Sequence, residues 1–239
     1  MATFVLVHGA LHGAWCWVKL VPALEARGHR AVAFDLPSLG EDRTPIAEAT
    51  LERWAARIAD EVKRESVPVV LVGHSLAGVA IASAAERLPE RIALLVYLTA
   101  FLPRDGDSVA SISASQAAKR DQGPPTFVKS ADGLSFSVVP DVAGPRFYAG
   151  CSEEDIAYAL ARVRPQAYSM LRTAVTLTPA RYGSVKRAYV ECLDDGILSL
   201  GLQRDMVAKS PCAEVVSLAT GHSPFFSAPG ELARHLMAP

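Results

Sequence analysis

Val69-Val70-Leu71-Val72-Gly73-His74-Ser75-Leu76-Ala77-Gly78 is the stretch that decides how this chain folds. The run Val67–Val72 is apolar and rich in β-branched residues, as a strand buried on both faces should be. Gly73 ends it, and helical spacing starts at once and runs from Leu76 to Leu88. With no loop between strand and helix, Ser75 stands on a sharp turn. Such a turn holds the serine in a strained backbone conformation and requires small residues two positions to either side. Gly73 and Ala77 meet that need, although Ala77 departs from a strict G-x-S-x-G. The turn pushes the hydroxyl out at the carboxyl edge of the sheet and aims the free amides of the helix N-terminus at the same point. Serine is also a common helix N-cap, but the strand–turn–helix setting is the one a nucleophile requires.

Working outward, strands and helices alternate. Thr3–Val7 reads as a strand that stops at His8-Gly9. The spacing of Trp17, Leu20, Val21 and Leu24 predicts a helix from Trp15 to Arg27, ended by Gly28. Arg30–Phe34 follows as a strand, Ile46 to Arg64 as a helix with Leu51, Trp54, Ile58 and Val62 on one face, and Arg91–Leu98 as another strand. This rhythm implies an α/β fold: a mostly parallel sheet with helices on both faces. It breaks between Pro103 and Tyr182. Pro124-Pro125, Asp132-Gly133, Gly144-Pro145 and Pro165 punctuate that stretch, with helical patches expected at Glu153–Arg162 and Gln166–Leu177. So long a stretch does not fit a plain loop, and residues 103–182 read as a lid inserted into one domain spanning 1–239. Order resumes with a strand at Val185–Cys192, a helix at Leu200–Lys209, a strand at Ala213–Leu218 and a last helix at Ala228–Met237.

A serine nucleophile needs a base and an acid to orient the base. Of the six histidines, His222 follows the final strand, so its loop emerges at the same carboxyl edge as Ser75. The acid is expected after the preceding strand, in the order Ser, Asp or Glu, His. Asp194 and Asp195 both stand there, and the residues alone leave the choice between them open. The tetrahedral oxyanion needs two donors. Leu76 offers its amide directly after the nucleophile, and Ala10 offers one from the first loop, where Gly9 lets the backbone turn closely. His8 and His12 are four residues apart but lie in a loop with no accompanying H-E-x-x-H glutamate, so no metal is expected. No G-x-G-x-x-G is present and no cofactor is expected.

The bulk composition excludes several classes. A net charge of −1 with no long basic block points away from nucleic acid and anionic membrane surfaces. No run approaches the ~20 apolar residues of a membrane span, and no signal peptide is recognised ahead of Thr3. Cys16, Cys151, Cys192 and Cys212 show neither C-x-x-C nor zinc-ligand spacing, which suits free thiols in a reducing, cytoplasmic setting. The partner expected is a small-molecule substrate, with a homodimer left open.

Phe4-Val5-Leu6-Val7-His8-Gly9-Ala10-Leu11-His12-Gly13-Ala14-Trp15 resembles the opening of the plant methylesterase and hydroxynitrile lyase family of α/β-hydrolases, which includes the salicylic acid-binding methyl salicylate esterase. The likeness runs through Leu20 to His29 and returns at Gly73–Ala77, Tyr182–Arg187 and Gly221-His222. It is weakest around Gln116–Asp141. It implies the α/β-hydrolase fold and a Ser75–His222–Asp195 triad, because the family pattern places the acid on Asp195. Lyases of the family carry threonine where this chain has Gly9, lysine where it has Ser223, and commonly another residue where it has His74. The resemblance is therefore to the esterase branch. Lyase-like carbonyl chemistry on the same triad, or a hydrolase-fold small-molecule receptor, are the alternatives. The substrate-binding residues expected are Gly9, His12, Phe101, Phe225 and Phe226, backed by Phe127, Phe136, Phe147, Tyr148, Tyr158, Tyr168, Met170 and Leu171 of the lid. Phe101, Phe225 and Phe226, nearest the triad in sequence, are apolar and supply no charge, so small neutral esters with an apolar, aromatic-type acyl part or a methyl alcohol are expected.

Overall fold

A computed structural model of the chain describes residues 1–114 and 125–237; Pro124 of the expected proline pair, and Gln116 at the edge of the poorly matched stretch, lie outside the described residues. The elements in chain order are β1 (Thr3–Val7), α1 (Leu20–Glu25), β2 (Arg30–Ala33), α2 (Leu51–Arg64), β3 (Val69–Ser75), α3 (Ala77–Arg87), β4 (Ile92–Ala100) and α4 (Val109–Ala114). Then come β5 (Phe127–Lys129), β6 (Ser135–Val138), α5 (Pro140–Phe147), α6 (Glu153–Leu160), β7 (Gln166–Ala167), β8 (Arg187–Cys192), α7 (Leu200–Lys209), β9 (Glu214–Leu218), α8 (Pro224–Ser227) and α9 (Pro229–Met237).

Among the described residues the main sheet has the order β2-β1-β3-β4-β8-β9, and every neighbouring pair is parallel. β3 therefore lies at the centre, flanked by β1 and β4. All the strands point one way, so the loops after β1, β3, β8 and β9 open on one edge. This parallel strand order, with helices in the connections between strands, is that of an α/β-hydrolase fold. β4 and β8 are hydrogen-bonded neighbours, yet residues 101–186 lie between them in the chain. That interval holds α4 to α6 and a second, antiparallel sheet of order β5-β6-β7.

Packing explains the helix faces. In α2, Leu51, Trp54, Ile58 and Val62 are buried, and together they form the stripe that lies on the sheet. Burying side chains of this kind contributes about 1.5–3 kcal/mol each. Gly78 in α3 packs so closely on β4's end that a β-carbon there would lie 2.0 Å from the Phe101 carbonyl oxygen. No side chain fits that space, so Gly78 joins Gly73 and Ala77 in the small-residue requirement of the turn.

Several expected elements differ from those found. The helix expected from Trp15 to Arg27 is broken: a 3-10 turn at Ala14–Trp17 precedes α1. Pro22 is the cause, because in a continuous helix its ring would clash with the carbonyl four residues earlier and it has no amide to donate. The helix expected from Ile46 is likewise divided. Thr50 has extended backbone and its side chain accepts from the Arg53 amide, so α2 starts at Leu51 behind an N-cap. Gln166–Leu177 is not helical. Gln166 and Ala167 pair with β6, a 3-10 turn follows at Tyr168–Leu171, and the Val175 amide donates to the Asp107 carbonyl. Pairing with β6 and β-branched Thr173, Val175 and Thr176 outweigh the apolar spacing that pointed to a helix. The β5–β6 hairpin has no counterpart among the elements that the spacing predicts.

Candidate active site

Ser75 ends β3 with φ +53°, the left-handed region that a non-glycine residue rarely enters. Its carbonyl accepts from the Phe101 amide at 3.1 Å, which ties the turn to the end of β4. The register of β3 on β4 shifts here: His74 pairs with Leu98 but Ser75 with Ala100. Thr99, skipped by that shift, has φ +37°. Two adjacent strand ends thus hold strained residues, as functional sites often do.

The loop after β9 brings the His222 imidazole to this point. Nε2 of His222 lies 3.1 Å from Ser75 Oγ, and Nδ1 lies 2.6 Å from Asp195 Oδ2. Since a carboxylate can only accept, Nδ1 carries the proton and Nε2 is left to accept from the serine hydroxyl. Asp195 is held from several directions. Its Oδ1 accepts from the Ile197 and Leu198 amides at 2.7 and 2.9 Å, and Thr99 Oγ1 donates to Oδ2. Asp194, the other candidate, is exposed. The structure therefore brings Ser75, His222 and Asp195 into one hydrogen-bonded line and leaves Asp194 outside it.

Three further buried imidazoles surround this line, each bonded to a backbone carbonyl. His8 donates from Nδ1 to the Gly9 carbonyl at 2.9 Å, while its Nε2 accepts from the Leu36 amide at 3.1 Å. His12 donates from Nδ1 to the Ala10 carbonyl at 2.7 Å, and Tyr148 donates its hydroxyl to Nε2 at 2.9 Å. His74 donates from Nε2 to the His222 carbonyl at 2.9 Å. Burial favours the uncharged form of each. It brings the pKa of His8 down to about 4 and that of His12 to about 3, and puts His74 well below its ordinary value.

The remaining expected residues fall as follows. The Gly9 backbone runs directly against Ser75 and His74. Leu76 follows the serine as the N-cap of α3, and Ala10 stands in the first loop directly after Gly9. Phe101 is buried beside the serine turn. His12 is 1% exposed, and both of its ring nitrogens are engaged, by the Ala10 carbonyl and the Tyr148 hydroxyl. Phe225 and Phe226 are also buried. Phe225 packs on Trp17 and His74, and Phe226 on Trp15 and Tyr158, because α8 turns both rings inward beneath the His222 loop. Phe147 of α5 instead reaches over the line, with its ring 5.6 Å from that of His222 at 75°. Thr99 and the bonds of His74 and Tyr148 carry no local sequence signal; each depends on a partner far away in the chain.

A family model described as the alpha/beta hydrolase family matches residues 4–235. Methylesterase 2 of Arabidopsis thaliana is 36% identical over 250 residues, covering 98% of this chain and 94% of the relative. Salicylic acid-binding protein 2 of Nicotiana tabacum is 34% identical over 250 residues, covering 98% and 95%. Among solved structures, polyneuridine aldehyde esterase is similar with a TM-score of 0.89 at 28% identity, covering 99% of this chain and 98% of that one.

Proposed function

The chain belongs to the alpha/beta hydrolase family and is a carboxylic ester hydrolase, and on that premise we propose that it is a serine esterase working through Ser75, His222 and Asp195 and an acyl-enzyme. The observation that carries this reading is the 3.1 Å approach of His222 Nε2 to the hydroxyl of a serine held at φ +53°. Ser75 Oγ attacks the ester carbonyl carbon. The new C–O bond forms as the carbonyl π pair moves onto oxygen, and the hydroxyl proton passes to His222 Nε2. Asp195 holds the Nδ1 proton and stabilises the imidazolium. The Leu76 and Ala10 amides donate to the oxyanion. Collapse of the tetrahedral intermediate expels the alcohol, which takes the proton from His222. Water activated by the same imidazole then releases the acid and frees Ser75.

The substrate is a small neutral ester. Around the line stand Phe101, Phe147 and Leu76, all apolar and buried, and among the described residues no lysine or arginine is hydrogen-bonded to it. The described residues of the segment 103–182 act as a cap over the site, with Phe147 beside His222. The names of the relatives, methylesterase and salicylic acid-binding protein, support a methyl ester of an aromatic acid. Burying a benzene-sized acyl group gains roughly 2–3 kcal/mol, or about thirty- to a hundredfold over acetyl. The test is kcat/KM for methyl benzoate- and salicylate-type esters against alkyl acetates. A preference for acetates or for charged acyl groups would overturn the substrate reading. The four cysteines, all free, support a reducing, cytoplasmic setting.

A further inference from the structure

Leu11, just after the proposed oxyanion donor Ala10, has φ +67°. Leucine rarely adopts this conformation, and it persists only where the surroundings hold it. The two carbonyls on either side of the Leu11 α-carbon are both held. That of Ala10 accepts from His12 Nδ1 at 2.7 Å, and that of Leu11 accepts from the Arg164 amide at 2.9 Å. Arg164 is itself anchored, its Nη1 donating to the Gly40 and Asp42 carbonyls at 2.8 and 2.7 Å. His12 is anchored by Tyr148, whose hydroxyl donates to Nε2 at 2.9 Å. Both tethers reach residues between β4 and β8, outside the main sheet.

We propose that Tyr148 and His12 form a positioning relay that sets the Ala10 amide for the oxyanion, so that the inserted segment completes the catalytic site. The relay rests on Ala10 being an oxyanion donor in the esterase reading above. The Tyr148 hydroxyl proton fixes Nε2 of His12 as the acceptor and so puts the ring proton on Nδ1. That proton holds the Ala10 carbonyl. With the carbonyl released, Leu11 relaxes out of the left-handed region, the Ala10–Leu11 peptide turns, and the Ala10 amide one bond pair away loses its aim. Both rings are 1% exposed, so no water replaces a lost partner without rearrangement. Neither Tyr148 nor His12 touches the reacting atoms.

The experiment compares Tyr148→Phe, His12→Leu and His12→Asn with the wild type on a neutral chromogenic ester and on a trifluoromethyl ketone of similar shape. Ser75 adds to the ketone to form a hemiketal oxyanion. Asparagine keeps a donor near the place of Nδ1, and leucine does not. Misplacing a catalytic group can cost up to about a hundredfold. The expected result for Tyr148→Phe and His12→Leu is a fall in kcat of roughly ten- to a hundredfold with KM within about threefold, and a parallel loss of ketone affinity. His12→Asn recovers most of kcat, and Tyr148→Phe adds nothing in the His12→Leu background. Unchanged kcat and ketone affinity in Tyr148→Phe, or equal losses in His12→Asn and His12→Leu, would overturn the relay. If Tyr148→Phe does not fold, the contrast between the two His12 variants decides the question by itself. Ser75→Ala run alongside separates the failures. Lost turnover there with unaffected relay variants refutes the relay alone, whereas surviving turnover refutes the esterase reading beneath it.

Discussion

The Gly9 backbone is pressed against Ser75: a β-carbon at position 9 would lie 2.9 Å from the serine β-carbon and 2.8 Å from His74 Nδ1. Real β-carbons are essentially never found so close, so any side chain at position 9 must displace the first loop or the serine turn. Gly9→Ala is expected to lower kcat/KM at least about tenfold and Gly9→Thr further, because sub-ångström shifts in a catalytic constellation are costly. Steady-state hydrolysis, with circular dichroism to verify folding, measures this. Wild-type turnover in Gly9→Thr would show that the loop has more freedom than its packing indicates.

Asp195 accepts hydrogen bonds from Thr99, His222, Ile197 and Leu198, whereas Asp194 is exposed. Asp195→Asn should reduce kcat by about 10⁴-fold, since an amide favours the wrong imidazole tautomer. Asp194→Asn should stay within about threefold. Thr99→Val should fall between them, because it removes one donor from the carboxylate and leaves His222 in place. The opposite order for the two aspartates would move the acid to Asp194.

His8, His12 and His74 give the protein a stability that depends on pH. The unfolded chain protonates each of them near the ordinary histidine value of 6.5, whereas the folded chain resists until about pH 4 for His8 and about pH 3 for His12. His74 is shifted in the same direction. The unfolded state therefore binds more protons across this window. The stabilisation is complete above about pH 7 and is lost as the pH falls toward those folded values. Near pH 5.5 the difference approaches two to three protons, at most about 4 kcal/mol per pH unit. Urea midpoints measured from pH 7.5 to 5 should fall steadily. A flat profile would mean that these imidazoles are not buried in the neutral form.

Much of the site is legible in the sequence because it is local. Gly73, Ser75 and the helical spacing from Leu76 place the candidate nucleophile without reference to the rest of the chain, and β9 followed by His222 sets its proposed partner on the same edge. What stays hidden depends on distance. Gly78 is constrained by the Phe101 carbonyl, Thr99 by a register shift between strands, and His12 by a tyrosine 136 residues away. The loop of His12 suggests contact with substrate, and nothing local to it announces that its ring nitrogens are taken by the Ala10 carbonyl and the Tyr148 hydroxyl. Helix periodicity fails at Gln166–Leu177 because pairing with β6 is a tertiary event. Near Trp15 it fails for a local reason, Pro22, whose ring forbids the continuous helix that the apolar spacing implies.

The central claim is that Ser75 is the nucleophile, and a fluorophosphonate ester tests it most directly. Attack by Ser75 Oγ forms an O–P bond and expels fluoride, leaving a stable adduct that intact mass and peptide mapping locate. The predicted result is one label per chain, on the peptide carrying Ser75, with ester hydrolysis lost in proportion to labelling. Ser75→Ala should neither label nor turn over. Labelling on another residue, or hydrolysis by Ser75→Ala within tenfold of wild type, would contradict the claim.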